Sequence, residues 1–402
     1  MTSIEPSYSG RVYPRLALLS AGLFTVGTNA FVIAGLLPDI ATTVGTTQSS
    51  VSYSITLYAL VVAVVAPAVS ILLPRVSRTA LIGGGLLVLA AGTLIAAAAG
   101  SLELFTLGRM VAALGGAALV PTATAAAPAM VPPARHGKAL AFVAIGFTLA
   151  SAVGSPLGTA LGEVGGWRFP LYLLGGLSAL IGVAVLLTIR RIPLGRPISL
   201  RQRVGALRDP RILLALVATV FVMAGFNIVY IFSAMVSAPV TQGSGALLSL
   251  LLLVFGGGGV LGNIIAGPLT DRMGNRSFGS LALVVEVVAL LAVPLLGWSY
   301  LATAIAFAVW GIAALAATIP LQHRMVSIDP ATAGLAMSWY TTAMYVGIAI
   351  APPVGAAAAN LGGATALPLA GAVATTIALL AFQLGYVRRR DTALGLVAAP
   401  AD

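Results

Sequence analysis

The chain of 402 residues has no cysteine, only two histidines, and few charged residues, which make up 8% of its length. Without cysteine, disulfide frameworks, thiolate nucleophiles and cysteine metal sites are excluded, and two histidines leave little for metal chemistry. A typical soluble domain carries about 25% charged residues. We therefore exclude an ordinary water-soluble domain and expect no resident metal or cofactor.

Hydrophobic residues, by contrast, make up 59% of the chain, and the mean hydropathy is +1.06. A helix that crosses a bilayer needs about 20 mainly apolar residues. Twelve such runs occur, at 16–36, 51–73, 79–99, 104–126, 139–161, 170–187, 212–234, 246–268, 278–296, 300–317, 331–356 and 366–386. Because the runs are continuously apolar instead of alternating, they predict membrane helices and not the strands of a membrane barrel.

The basic residues predict how these helices are oriented. The net charge is +11, and nineteen of the 21 basic residues fall on the cytoplasmic side if the N-terminus is cytoplasmic. Only Arg109 and Arg168 fall toward the outside. This asymmetry predicts a multi-pass protein of the plasma or inner membrane with both termini in the cytoplasm. Membrane orientation and contact with lipid also account for the excess of basic residues, so no nucleic-acid partner is expected.

A repeat divides the chain into halves. Three pairs of residues share a displacement of 197, namely Arg75 and Arg272, Pro156 and Pro353, and Gly158 and Gly355. An arginine-rich polar segment lies between the halves, which predicts an N-terminal bundle at 1–188, a cytoplasmic linker at 189–211 and a C-terminal bundle at 212–402. The expected fold is all-α, with two six-helix bundles related by a pseudo-twofold axis along the membrane normal.

A loop in the second half carries charges where a helix meets a tight turn. The segment from Gly267 to Arg276 reads Gly-Pro-Leu-Thr-Asp-Arg-Met-Gly-Asn-Arg, and the equivalent first-half loop has Pro74 in place of the acid. A charge pair formed in only one conformational state biases the equilibrium between states. The alternative is that the acid only neutralises nearby arginines. The candidate gating residues are Arg75, Arg78, Gly267, Asp271, Arg272, Gly274 and Arg276.

The fifth run contains a glycine-rich face with a proline. Gly154 and Gly158 begin a series of glycines that recur every four residues as far as Gly166, and Pro156 lies between them. A face without side chains lets a neighbouring helix approach closely, and the proline removes one backbone hydrogen bond and can kink the span. Helix packing alone would explain the same residues.

These two segments, together with Gly35-Leu36-Leu37-Pro38-Asp39-Ile40-Ala41 at the end of the first run, resemble the major facilitator superfamily. The resemblance is closest to its twelve-helix drug:proton antiporter branch, which includes sugar exporters. It implies a secondary transporter that is not an enzyme, works by alternating access as a monomer, and binds a small molecule and protons. It also implies a central cavity lined by helices one, four, seven and ten, with parts of helices two, five, eight and eleven.

Charges inside the predicted spans are candidates for coupling to protons. Glu286 lies within the ninth run, where an unpaired charged carboxylate would cost several kcal/mol, so it is a proton-carrier candidate; helix packing as a neutral acid is the alternative. Asp39, at the outer interface, is a second candidate as an outer gate or a proton site, and the alternative is an interfacial acid that only ends the helix. Arg109 stays protonated and can only act as a fixed charge that orients a substrate or a nearby acid. Its alternative is snorkelling to the surface.

The candidate cavity residues are polar, aromatic or methionine side chains on the helices that the resemblance places around the cavity. They are Thr28, Asn29, Arg109, Met223, Asn227, Tyr230, Trp310, Tyr340 and Met344. Adaptable side chains of this kind suit bulky, mainly apolar compounds, although each one singly is also ordinary packing material.

These features predict an efflux transporter that exports drug-like or amphipathic molecules in exchange for protons. Export of sugars or other metabolites is the alternative within transport. A membrane sensor or scaffold that binds ligand without moving it is the alternative of another class. No nucleotide-binding run G-x-x-x-x-G-K-[ST] is present, which excludes ATP as the energy source.

Overall fold

The computed structural model describes residues 12–73, 76–132, 135–189, 192, 205, 207–328 and 333–395, with backbone alone at 70–72, 333–334 and 387–395. Arg75 and most of the predicted linker lie outside these residues. Within the described ranges the chain is helical and contains no strand. The helices of the first half are α1 (Val12–Thr43), α2 (Gln48–Leu72), α3 (Arg78–Ala98), α4 (Leu102–Ala129), α5 (His136–Gly165) and α6 (Arg168–Thr188).

The second half repeats this order. Its first four helices are α7 (Pro210–Ile231), α8 (Gly245–Met273), α9 (Asn275–Ala292) and α10 (Tyr300–Ile328), with a short helix, Ser233–Thr241, after α7. The helical stretch Ala333–Gly395 is broken at Gly362 and Gly363, where φ is −145° and 63°. We call the part before this break α11 and the part after it α12. The described chain therefore holds twelve spans, as predicted.

Short polar residues begin several of these helices. The side-chain oxygens of Thr47, Ser77, Ser101 and Ser244 each accept a hydrogen bond from the backbone N–H three residues later. Such caps satisfy donors that a helix start leaves free. The caps explain why the helices start one to three residues before the apolar runs that predicted them.

The predicted pair of six-helix bundles is confirmed, with α1 to α6 in the N bundle and α7 to α12 in the C bundle. We call the end where α1 begins and α6 ends the linker end, and the opposite end the far end. At the far end one buried apolar cluster joins both bundles, with Leu36 of α1 packed in the same cluster as Phe232. Toward the linker end each bundle has its own cluster, and the N-bundle cluster takes in only residues 344–349 of α11.

Candidate functional site

A small space lies where α1, α2, α7 and α11 meet between the bundles. Its volume is about 20 Å³, and its aromatic lining comes from Phe31, Tyr58, Tyr230 and Tyr345. Asn227 also lines it. A drug-sized ligand needs a pocket of about 300 Å³ or more, so this central space must widen before such a ligand can enter.

Three hydrogen bonds between described residues cross from one bundle to the other. The Tyr230 hydroxyl donates to Ser155 Oγ at 2.9 Å, Ser249 Oγ donates to the Pro156 carbonyl at 2.7 Å, and Thr56 Oγ1 donates to the Ala349 carbonyl at 2.9 Å. They lie at the level of the central space or toward the far end. These bonds join the bundles at those levels, and a cleft of about 390 Å³ lies within the N bundle, beside the starts of α1 and α5 at the linker end.

The glycine face of α5 packs inside the N bundle. A side chain at Gly154 would collide with Thr28 of α1, and one at Gly158 would collide with Val32. The helix widens into a π-helical turn, Ala150–Gly154, where this face begins. The predicted close approach thus occurs against α1, whereas Ser155 and the Pro156 carbonyl make the contacts across the seam.

Arg109 lies at the centre of a buried polar network. Its side chain is 1% exposed, and Nη1 donates to the Asn29 carbonyl at 2.6 Å and to Asn29 Oδ1. Asn29 Nδ2 donates to Thr93 Oγ1 at 2.7 Å. The guanidinium also lies over the Tyr58 ring, with Cζ 4.4 Å from the ring centroid. Because Tyr58 lines the central space, its ring separates the Arg109 guanidinium from that space.

The other predicted cavity residues are spread over several environments. Thr28 is buried beside α5, and Met223 packs in the linker-end cluster of the C bundle. Tyr340 accepts a hydrogen bond from Gln322 Nε2 at 3.3 Å, and Met344 packs against clusters of both bundles. Of the nine predicted residues, Asn227 and Tyr230 line the central space directly.

Trp310 lies inside the C bundle instead of lining the central space. Its ring is 4.4 Å from that of Phe255, which stacks in turn on Phe226 at 5.5 Å. Phe307 contacts Trp310 edge-on at 5.4 Å. Aromatic rings in such arrangements stabilise one another beyond their buried area, so an aromatic cluster fills the middle of this bundle.

Glu286 is fully buried on α9, a helix that contributes nothing to the central space. Neither of its carboxyl oxygens has a hydrogen-bond partner among the described residues. On the same helix, a side chain at Gly279 would meet Phe382, and Leu290 approaches Gly371. This antiparallel register places Glu286 level with Thr375 of α12, whose hydroxyl is also buried without a described partner.

Asp39 is exposed at the far end of α1. It borders a cleft of about 290 Å³ that Glu163 of α5 and the start of α8 also line. Gly245 opens α8 there, and the Glu163 carboxylate occupies the volume that a side chain at Gly245 would need. Two acidic groups of the N bundle thus face the first turn of a C-bundle helix.

The predicted gating loop ends α8 and begins α9. Asp271 and Arg272 are exposed, and Gly274 has φ 81°, the left-handed conformation that favours glycine. Arg276 Nε donates to Gln383 Oε1 of α12 at 2.7 Å, which ties the loop to its own bundle. In the N bundle, Arg78 Nη1 donates to the Ala125 carbonyl at 3.1 Å.

An ion pair between two described residues lies at the start of α7, at the same end of the molecule as this loop. Arg211 Nη2 is 2.7 Å from Asp209 Oδ2. The hydrogen bonds from the Arg211 side chain hold the pKa of Asp209 below its usual value. Asp209 therefore stays charged at neutral pH and caps α7 by accepting the Arg211 backbone N–H.

Sequence reasoning missed Phe31, Tyr58, Thr93 and Tyr345. Phe31 directly follows the polar face of α1 and packs edge-on against Tyr230 at 5.7 Å, so its position beside Asn29 was a usable signal. No periodic pattern in the sequence distinguishes Tyr58 and Tyr345 from the other residues of their helices. Their role depends on how α2 packs against α4 and α11, which no local pattern specifies.

Comparison with family models and curated proteins identifies related sequences. The model of the Major Facilitator Superfamily matches residues 19–352 and 230–401. "Inner membrane transport protein YdhP" of Escherichia coli (strain K12) is 30% identical over 345 residues, which cover 86% of this chain and 88% of the relative. "Chloramphenicol resistance protein" of Streptomyces lividans is 34% identical over 267 residues, covering 64% of this chain and 67% of the relative.

Solved structures share the fold. A bacterial homolog of the human lysosomal transporter Spinster, inward-facing and unoccupied, has a TM-score of 0.75 at 16% identity, covering 95% of this chain and 98% of that one. A mutant of the nucleoside transporter NupG has a TM-score of 0.76 at 12% identity, covering 93% and 100%. At these identities the likeness extends to the arrangement of the helices and no further.

Proposed function

Because the chain belongs to the Major Facilitator Superfamily, whose members are membrane transporters and not enzymes, we propose that it exports drug-like small molecules in exchange for protons. Transport occurs by alternating access, in which the two bundles rock around a site at their interface. The observation that carries this proposal is the central space between the bundles, which residues of both bundles line and beside which hydrogen bonds at Ser155, Ser249 and Thr56 join them.

The orientation follows from the arginines. If they keep the linker end in the cytoplasm, the far-end contacts between the bundles face the outside, and in the exporter that we propose the site fills from the cytoplasm. Residues 1–188 and 212–402 then move as two bodies joined by the cytoplasmic linker 189–211. The whole pathway lies within one chain, so a monomer suffices.

Two observations support efflux of drug-like substrates. One relative of this chain is a chloramphenicol resistance protein. The central space is walled by aromatic rings of both bundles, with Phe31 5.7 Å from Tyr230. Such rings give a large apolar contact to a substrate while their hydroxyls orient it.

Proton coupling is assigned to Glu286, with Arg109 as a fixed charge and Asp39 at the far-end gate. Glu286 is the one fully buried carboxylate whose side chain the structure describes. A membrane-embedded acid is costly when it is charged and unpaired, so gaining or losing a proton changes how well α9 packs. That change is a physical link between protonation and the shape of the C bundle.

The experiment uses purified protein in proteoliposomes with an imposed pH gradient and chloramphenicol as the probe. Uptake into vesicles should follow the gradient and stop when an ionophore collapses it. Flux that ignores the gradient would reject coupling. Binding of chloramphenicol without flux or counterflow would identify a sensor instead of a transporter, and the same vesicles loaded with sugars test the metabolite alternative.

Single substitutions then locate the proton site. Glu286→Gln should flatten the pH dependence of transport, whereas Asp39→Asn should leave its shape unchanged and lower the rate. If Glu286→Gln retains the wild-type pH profile, Glu286 is removed as the carrier.

A further inference from the structure

We propose that the central site selects ligands by charge: it accepts anionic or neutral aromatic molecules that carry hydrogen-bond acceptors, and it rejects lipophilic cations. The inference rests on the proposed function in one respect, namely that the central space is the ligand site. It goes further because it fixes the sign of the charge that the ligand carries.

The first step is the distribution of acids. Six acidic side chains are described, and five of them lie at helix ends. They are Asp39, Glu103 and Glu163 at the far end and Asp209 and Asp271 at the linker end. The sixth, Glu286, is on α9, which does not reach the central space. The described walls of the site therefore offer no carboxylate to a cationic ligand.

The second step is the charge of Arg109. Its described hydrogen-bond partners are the neutral carbonyl and amide oxygens of Asn29. Nε and Nη2 have no hydrogen-bond partner among the described residues. A guanidinium donates hydrogen bonds and accepts none. The buried positive charge is therefore not neutralised by any described carboxylate, and it retains spare donors.

The third step concerns the hydroxyl groups of the lining. The hydroxyls of Tyr58 and Tyr345 are buried, and neither has a hydrogen-bond partner in the described part of the chain. Each residue is 2% exposed. Buried polar groups are normally satisfied. Both residues line the central space, and the Tyr58 hydroxyl lies toward Gly116 of α4. A ligand that brings acceptor oxygens as the space widens would offer these hydroxyls the partners they lack, which makes acceptor-rich ligands the chemical match.

The fourth step is the reach of the charge. Arg109 Cζ lies 4.4 Å from the Tyr58 centroid. A ligand stacked on the other face of this ring, about 3.5 Å further on, would be about 8 Å from the charge. At an effective dielectric constant of about 20, one unit charge at that distance changes affinity about 30-fold, which is about 2 kcal/mol. The change favours an anion and opposes a cation.

Aromatic rings also attract cations through their faces, which is the effect that could oppose this selection. Here Tyr58 already carries the guanidinium on one face. Tyr230 meets Phe31 at an interplanar angle of 79°, so these rings contact each other edge to face. We therefore expect the unneutralised charge of Arg109 to determine the sign of the selection.

The test compares two probes of matched shape and opposite charge, tetraphenylborate and tetraphenylphosphonium, on the purified full chain in an uncharged detergent. Both displace bound chloramphenicol if they occupy the central site. For the wild type we expect the anion to displace it at a concentration at least tenfold lower than the cation. Arg109→Gln should bring the two concentrations within about threefold, and Arg109→Lys should keep most of the difference.

Arg168→Gln is the matched control. Arg168 also stacks on an aromatic ring, with Cζ 4.3 Å from the Trp167 ring, but it lies at the start of α6 at the far end. Its substitution should leave the wild-type ratio unchanged. This control separates the local effect of Arg109 from any general effect of net charge on how the probes partition into detergent.

Each outcome decides the proposal. A wild type that binds the cation as tightly as the anion overturns charge selection and leaves the proposed transport site standing. A ratio that survives Arg109→Gln overturns the assignment to Arg109. If chloramphenicol and both probes fail to bind, the central site itself is wrong. If Arg109→Gln does not fold, the wild-type ratio and its retention in Arg109→Lys decide.

Discussion

The two bundles share a helical frame but fill its middle differently. At equivalent positions, which are 197 residues apart, the N bundle has polar residues where the C bundle has apolar ones. The equivalent residues are Asn29 and Phe226, Tyr58 and Phe255, and Thr93 and Leu290. Arg109 lies 4.4 Å from the Tyr58 ring, and Trp310, one turn beyond the position equivalent to Arg109, lies 4.4 Å from the Phe255 ring. A guanidinium over tyrosine is thus replaced by an indole over phenylalanine.

This contrast separates what the fold needs from what function needs. Burying a charge carries a desolvation cost, and well-packed apolar residues of similar volume often stabilise a protein as well or better. The C bundle packs its equivalent positions with apolar residues, Phe226, Phe255 and Leu290, and with the neighbouring ring of Trp310. Because the frame does not require the polar network, we infer that the network serves transport.

The buried acid shows the opposite asymmetry. Glu286 lies in the C bundle, and the position 197 residues earlier is Leu89, a buried core residue of the N bundle. The C bundle also buries Arg324 near the linker end; Arg109 and Glu286 are each a buried charge that the other bundle lacks at the equivalent position. Neither charge forms an ion pair with a described residue.

The largest effect is expected from Asn29→Leu. This change removes the side-chain acceptor for Arg109 and the amide that reaches Thr93. Because a hydrogen bond to a buried charged group contributes about 1.5–3 kcal/mol, we expect a stability loss of about 2–3 kcal/mol and at least a tenfold fall in transport. Thermal unfolding of the purified protein in detergent and flux in proteoliposomes measure the two effects.

Phe226→Leu is the control at the corresponding position of the C bundle. It exchanges one apolar side chain for another in the aromatic cluster, so its cost should stay below about 1.5 kcal/mol. An equal loss in both variants would mean that the polar network contributes no more than ordinary packing.

The double variant Asn29→Leu with Arg109→Met should recover most of that stability. It removes the charge together with its partner and makes the N bundle resemble the apolar C bundle. We expect thermal stability within about 1 kcal/mol of the wild type, while transport stays at least tenfold reduced. If the double variant is less stable than Asn29→Leu alone, the network holds the fold together and our separation of fold from function fails.

Much of the fold followed from hydropathy because a bilayer requires about 20 apolar residues for each crossing. The run predicted at 104–126 is the helix Leu102–Ala129. The run predicted at 300–317 ends early, since α10 continues to Ile328 through Gln322, His323 and Arg324. Backbone hydrogen bonds extend a helix beyond the apolar core, and hydropathy does not detect that extension. The π-helical turn Ala150–Gly154 likewise leaves no mark in composition.

The candidate site was less accessible to prediction because its contacts join distant helices. Asn29 and Arg109 were each predicted as cavity residues, but their hydrogen bond joins positions 80 residues apart. Tyr58 was missed since nothing near it in sequence shows that α2 carries it beneath the guanidinium. Trp310 was expected in the cavity, yet it packs among phenylalanines because aromatic rings of α7, α8 and α10 meet inside the bundle.

A smaller effect on stability is expected from Glu286→Gln. Gln has the same shape and no charge, so a buried acid that is protonated in the described conformation should be replaced at a cost below about 1 kcal/mol. The pH dependence of transport should flatten. Glu286→Leu, which introduces the Leu89 residue type of the N bundle, should behave alike if packing tolerates it. A large drop in thermal stability for Glu286→Gln would indicate a charged carboxylate with an essential partner.

The smallest effect on stability is expected from Asp271→Asn in the α8–α9 loop. Asp271 is exposed, and Pro74 stands at the corresponding position of the N bundle. Because exposed charges contribute about 0–1 kcal/mol, the thermal midpoint should hardly move. Transport should nevertheless fall several-fold if the acid pairs with a partner in only one conformational state. A distance between spin labels on α5 and α8 at the linker end measures the shift in population.

Asp209→Asn is the matched control, since Asp209 is also an acid at the linker end but is already paired with Arg211 at 2.7 Å within the start of α7. A pair that persists in both states shifts no equilibrium, because a contact biases a conformational change only through its differential energy. Asp209→Asn should therefore leave the label distances unchanged. If both variants change them equally, acid loss at this end acts through general electrostatics, and the difference between the α8–α9 loop and its N-bundle counterpart has no role in gating.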